Sequence, residues 1–232
     1  RGLGDVYKRQ IPINLMQPIY HAFELPTDTR WMKIPEFSPH AYEVEVAEYK
    51  GTTNKVVMII VWKWGTTSGY QNKYITIASN LVEKHGVSVF VVENPWISRD
   101  DPKLFIECAI NFVEEQMKKS GFDDWEIYGM GHSAGAHFWG RFWYLFPRVK
   151  KLLLINPVLS VNFFKLKDAL IAYSWELKII QWSKDHDFFY VPLLDPIKTD
   201  QKQVIILEWV NHEFSNDWGF DLFLSLAEHY LF

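Results

Sequence analysis

An α/β architecture, with a mainly parallel central sheet covered by helices on both faces, is predicted by three features of the sequence. Short β-branched runs such as KVVMIIVW recur along the chain. Stretches with helical spacing of apolar residues alternate with them. The runs are apolar without a break, as strands buried on both faces must be, whereas half-exposed strands alternate.

The elements follow in order. GDVYKRQ at positions 4–10 resembles the translation of a transposase adapter used in preparing sequencing libraries. Residues 1–10 are therefore excluded from the fold, and one domain is expected over residues 11–232. On that reading the natural amino terminus is missing, and the lack of a leader peptide says nothing about secretion. Residues 11–41 carry Pro12, Pro18, Pro26, Pro35 and Pro39 and read as irregular structure or short edge strands. AYEVEVAEY alternates with period two, an antiparallel edge, and KVVMIIVW leads into a parallel centre. The spacing of Ile75, Ile77, Ala78, Leu81 and Val82 predicts a helix over 73–84, stopped by His85-Gly86. VSVFVVE is the next strand, closed by Asn94-Pro95. The helix in DPKLFIECAINFVEEQMKKSG opens on an Asp cap followed by Pro and ends in Lys-Lys-Ser-Gly. WEIYGM is a strand, AGAHFWGRFWYLF a helix stopped by Pro147, and KKLLLINPV a strand. Residues 161–176 form a loop holding one helix, LKIIQW and KQVIILEW are strands, and WGFDLFLSLAEHYLF is a closing helix.

Bulk properties narrow the function classes. A chain of 232 residues suits one domain that buries roughly 70 % of the surface its unfolded form exposes. Hydrophobic residues make up 48 % and charged ones 22 %, which excludes disorder. The net charge of −4 and the lack of a Lys/Arg block give no reason to expect nucleic acid or an anionic membrane face as a partner. No apolar run reaches the roughly 18 residues of a membrane span. With Cys108 as the sole cysteine no internal disulfide can form, so a cytoplasmic setting is expected. Within its helical pattern Cys108 reads as a buried, inert thiol.

The chemistry concentrates in GMGHSAG, residues 129–135, between a strand and a helix. Gly131, Ser133 and Gly135 fill a G-x-S-x-G pattern. A turn this tight strains the serine backbone and leaves no room for side chains two residues before and after it. The hydroxyl is presented at a helix start, whose free N–H groups favour developing negative charge. A match of this kind arises by chance in about one chain in ten of this length, so its context decides. Serine needs an imidazole to accept its proton, and the imidazole needs a carboxylate to fix its tautomer. Asp185 and Asp187 occur in WSKDHDFF after one strand, Asp185 in the tight strand-end loop, and His212 occurs in EWVNHEF after the last.

With these residues the chain, from about residue 42 onward, resembles the α/β-hydrolases. The resemblance implies Ser133 as nucleophile, Asp185 as acid and His212 as base. It implies an oxyanion hole from the N–H of Ala134 and a second N–H in the loop after the early strand, where Trp64-Gly65-Thr66 points to Thr66. Two departures stand out: the histidine usual before that glycine is absent, and Trp182 stands where the acid loop usually carries glycine. The choice between Asp185 and Asp187 stays open. His132 and His137 read as packed or hydrogen-bonded residues, and His186 as a surface residue turned away from Asp185. Trp64, Trp96 and Trp182 fall at strand ends, where they could wall a pocket for an acyl or aromatic group, or simply pack the core.

Many members of the family insert a lid before the acid-bearing strand, and VNFFKLKDALIAYSWEL leaves no room for a large one. The function expected is a lidless serine hydrolase acting on a small-molecule carboxylic ester, thioester or activated amide, with no metal or organic cofactor. The alternatives are an acyltransferase with the same triad, or a hydrolase-fold binding protein whose catalysis has decayed.

Overall fold

The structure, a computed structural model, describes residues 16–25, 42–63, 65–95, 101–208, 212, 214 and 217–232. Eight strands form one sheet in the order β1-β2-β4-β3-β5-β6-β7-β8. They are β1 (Ile19–Leu25), β2 (Tyr42–Tyr49), β3 (Lys55–Ile60), β4 (Ser88–Val92), β5 (Glu126–His132), β6 (Val149–Ile155), β7 (Glu176–Trp182) and β8 (Lys202–Leu207). β1 pairs antiparallel with β2, and β2 antiparallel with β4, while every pairing from β4 to β8 is parallel. The helices are α1 (Lys73–His85), α2 (Pro102–Lys119), α3 (Ala134–Phe142), α4 (Phe163–Ala172) and α5 (Asp217–Leu231).

The unbroken apolar runs are divided by the pleat between two cores. From β3, Val56, Met58 and Ile60 join α2, α3 and α4 on one face, while Val57, Ile59 and Val61 join α1 and α5 on the other. β6 divides in the same way, with Leu152 and Leu154 opposite Leu153 and Ile155. Successive side chains of a strand point to opposite faces, so a strand covered on both must be apolar at every position.

Local signals set the helix ends. The Asp101 side chain accepts from the Leu104 N–H at 3.0 Å and Pro102 opens α2, satisfying one of the free amides of the first turn. Gly86 ends α1 in the left-handed conformation, φ 64°. Cys108 is half-buried against the core, and burial pushes its thiol up, with Glu107 and Asp101 adding to the shift.

Two features depart from the expectation. The alternating strand β2, expected at the sheet edge, lies inside it, and that edge is β1, a short edge strand of the kind the proline-marked region allowed. α3 stops at Phe142, and a 3₁₀ turn, Trp143–Leu145, precedes the extended Phe146, as Pro147 disfavours helical backbone before it. A ten-residue 3₁₀ segment, Phe188–Ile197, follows the acid loop. Pro192 and Pro196 lie inside it, where their missing N–H groups exclude a continuous α-helix.

Because β3 to β8 run parallel, the described residues 61–63, 65–69, 133, 156–162 and 183–187 follow strand ends on the same rim of the sheet, and His212 joins them there. That rim is the place where an open α/β sheet gathers its working groups.

Candidate functional site

Ser133 connects β5 to α3 with φ 56° and ψ −115°, a conformation that costs a side-chain-bearing residue about 1–3 kcal/mol. The bend is fixed by contact on two sides. A Cβ on Gly131 would come within 2.4 Å of the Ala136 nitrogen, and one on Gly135 within 2.1 Å of the Ile60 carbonyl oxygen. Gly131 therefore admits the helix start. A Cβ on Gly131 would also lie 2.5 Å from the Gly135 carbonyl carbon, so the two glycines do approach each other, and Gly135 also lets α3 sit on the end of β3, where the loop bearing Thr66 begins. The Ser133 N–H donates to the Ile155 carbonyl at 2.8 Å, tying the bend to β6.

The three residues expected from separate loops meet. His212 Nε2 lies 3.1 Å from Ser133 Oγ, and His212 Nδ1 lies 2.5 Å from Asp185 Oδ2. Since a carboxylate only accepts, Nδ1 carries the proton and Nε2 presents its lone pair to the hydroxyl. Asp185 and Ser133 are buried and His212 is half-buried. Burial acts to raise the Asp185 carboxyl, but its bonds from His212 and the Asp187 N–H, with the His212 and His186 rings nearby, outweigh this and hold it below its ordinary range.

Asp187 does something else. Its Oδ2 accepts from the Leu159 N–H at 2.8 Å and the Ser160 N–H at 3.2 Å, pinning the loop that leaves β6. Its own N–H donates to Asp185 Oδ1 at 3.0 Å, so it also steadies the other acid. His186 is exposed, as expected of a surface residue, but it does not turn away. The loop is a tight turn, not extended, and brings Nδ1 to 3.3 Å from Asp185 and Nε2 to 3.4 Å from Asp187. Among the described residues, Asp185, His186 and Asp187 are the three whose donor atoms come close enough for a metal ion. Both carboxylates already serve His212 and backbone amides there, which leaves a poor donor set.

Of the expected oxyanion donors, Ala134 is the first residue of α3, where no intrahelical acceptor faces its N–H. Thr66 is exposed on the loop after β3, its Oγ1 bonded to Ser68 Oγ at 3.0 Å. That loop is held by Asn94, whose Nδ2 donates to the Val61 carbonyl at 2.9 Å and whose N–H donates to Gly65 at 3.3 Å. Trp64 and Trp96 lie outside the described residues. Trp182 is half-buried and packs against the α1–α5 core, a packing role.

Sequence reasoning passed over several supports. Asn156, with φ 44°, accepts from the Trp182 N–H through Oδ1 at 2.8 Å and donates its own N–H to Ile180 at 2.7 Å, locking the end of β6 to β7 just before the acid loop. Tyr74 and Trp62 contact His132 inside the elbow. The signals available were an Asn directly after a strand and a histidine between the elbow glycine and serine. His137 is buried with Nδ1 donating to the Val158 carbonyl at 2.8 Å. Burial, helped by Arg141 and opposed by the Val158 bond and Asp187, brings it down to about 4, so it is neutral and serves structure.

No protein-family sequence model matches the chain, and no curated protein matches it in sequence. Solved structures do match. Est1E from Butyrivibrio proteoclasticus superposes with TM-score 0.64 at 11 % identity, covering 90 % of this chain and 97 % of its own. The esterase domain of a Rhodothermus marinus protein gives 0.64 at 14 %, covering 94 % and 100 %. Thermogutta terrifontis esterase 2, phosphoramylated by tabun, gives 0.65 at 14 %, covering 96 % of each. Likeness at such identities speaks for architecture alone, which in this chain is an eight-stranded, mostly parallel sheet with no large cap among the described residues.

Proposed function

We propose that this chain, which has the α/β-hydrolase fold, is a serine hydrolase that cleaves small carboxylic esters, or thioesters and activated amides, through an acyl-enzyme. The observation that carries the reading is the run from hydroxyl to imidazole to carboxylate, at 3.1 and 2.5 Å, from the segments that follow β5, β8 and β7 on one rim. Similar solved structures are named esterases, and one is held as a covalent organophosphorus adduct.

Each step uses groups already described. Ser133 Oγ attacks the acyl carbon while His212 Nε2 takes the hydroxyl proton. Asp185 keeps the Nδ1 proton in place and stabilises the imidazolium. The N–H groups of Ala134 and Thr66 bear the oxyanion. Collapse breaks the bond to the leaving group, which departs with the proton from His212, and leaves the acyl group on Ser133. Water then attacks, His212 takes its proton, the acid is released, and the proton returns to Ser133.

The test is p-nitrophenyl acetate turnover by Ser133→Ala, in which the backbone bend and fold should persist. Loss of turnover by at least about 10³-fold is expected. A variant that turns over at the parent rate contradicts the reading.

A further inference from the structure

The elbow histidine is not idle. His132 is fully buried, and every edge of its ring is occupied. Nε2 lies 2.9 Å from the backbone carbonyl of His212, and Nδ1 lies 3.2 Å from the Tyr74 hydroxyl. One face is stacked on Trp62, with centroids 5.9 Å apart and planes 6° apart, and Phe214 and Phe223 meet it edge-on.

The directions of these bonds follow from what each atom can do. A carbonyl only accepts, so Nε2 carries the proton and donates to His212. Nδ1 then presents its lone pair, and the Tyr74 hydroxyl donates to it. Both groups keep the forms this requires. Burial, reinforced by the positive charge of Lys73 and by His212, and opposed by the bond to the His212 carbonyl, holds His132 well below its ordinary range and therefore neutral. Burial pushes the Tyr74 hydroxyl far up, and the Trp62 amide opposes this only in part, so the donor proton stays.

Resting on the serine-hydrolase reading, we propose that His132 is a positioning residue. A directed chain from Tyr74 through the His132 imidazole grips the His212 backbone and sets the height of the His212 ring over Ser133. The elbow thus supplies the nucleophile and, one residue earlier, the clamp that keeps the base in register with it. Trp62, on the oxyanion loop, closes the same clamp from above, so three rim loops share one buried anchor. A base must be held within about 0.5 Å of its working position, and misplacement by about 1 Å costs on the order of 100-fold.

The test compares His132→Leu, His132→Gln and Tyr74→Phe on p-nitrophenyl acetate and on the rate of fluorophosphonate labelling. Leucine removes the donor, and kcat should fall about 10- to 100-fold with KM unchanged. Glutamine places an N–H near the same point and should recover to within about 5-fold of the parent. Tyr74→Phe should fall between them, and adding it to His132→Leu should cost nothing more, because the chain is already broken. Should His132→Leu fail to fold, ¹⁵N spectra of the parent imidazole decide: a neutral ring protonated at Nε2 from pH 5 to 8 is expected. His132→Leu with the parent's kcat and labelling rate, or an imidazole protonated at Nδ1, overturns the proposal. A parent protein without Ser133-dependent turnover instead overturns the hydrolase reading, a distinct outcome.

Discussion

The elbow at 131–135 and the acid loop at 183–187 hold their working side chains by different means. At the elbow, steric exclusion does the holding. Backbone of α3 and β3 lies within 2.1 to 2.4 Å of where side chains on Gly135 and Gly131 would begin, and Ser133 takes the strained conformation left to it. In the acid loop, hydrogen bonding does it. Two aspartates two residues apart, both buried, are given separate work by their partners: Asp185 faces His212, and Asp187 caps the amides of Leu159 and Ser160. A steric device fails when volume is added, a bonded one when a partner is removed.

That contrast can be broken from either side. The largest effect should come from Asp185→Asn, which keeps the shape and loses the charge that fixes the His212 tautomer. We expect kcat to fall by roughly 10³- to 10⁴-fold with little change in Tm, read from ester kinetics and a thermal melt. Next, Asp187→Ala should do the reverse, costing about 1–3 kcal/mol in urea unfolding because the buried Leu159 amide loses its acceptor, while kcat moves less than about tenfold. A result in which both variants lose rate equally would erase the division between the two acids. On the elbow side, Gly135→Ala should cost roughly 2–4 kcal/mol, since the new methyl meets backbone that has no room to move. A smaller effect checks the strain itself: Ser133→Gly should be more stable than Ser133→Ala by about 1 kcal/mol, as glycine accepts a positive φ freely.

The buried histidines give a pH dependence of stability. His132 and His137 are held below their ordinary range, so the unfolded chain binds protons that the folded chain does not. Their contribution is complete above about pH 6.5 and is lost as pH falls, for His137 toward about 4. Asp185, also depressed, loses its share only below the ordinary carboxylate range. Urea midpoints should therefore drop from pH 7 to pH 4, and His137→Gln should flatten part of that slope.

How much of this was legible follows the same division. What volume and pattern decide was readable: the unbroken runs of β3 and β6 announce a doubly covered sheet, and Gly131 and Gly135 announce a crowded turn. Choices made by partners from distant segments were not. Its place in the strand-end loop favours Asp185, but WSKDHDFF leaves Asp187 open, because the amides of Leu159 and Ser160 that claim Asp187 lie 27 or 28 positions away. His186 was misjudged for a related reason, since the turn that folds it onto both acids is stabilised by an Asp187 N–H to Asp185 bond within the loop. The clamp on His212 joins residues 58 and 80 positions apart and leaves no periodic trace. The prolines of residues 11–41 leave short edge strands or irregular structure open, because an edge strand needs pairing on one side only, and β1 takes the first of these.

The central claim is that Ser133 becomes the covalent acyl carrier, and mapping a fluorophosphonate adduct by mass spectrometry tests it most directly. One adduct per chain is expected, located on the peptide carrying Ser133 and abolished in His212→Ala at equal exposure. A folded parent protein that takes up no label, or takes it up at another residue, would contradict the account.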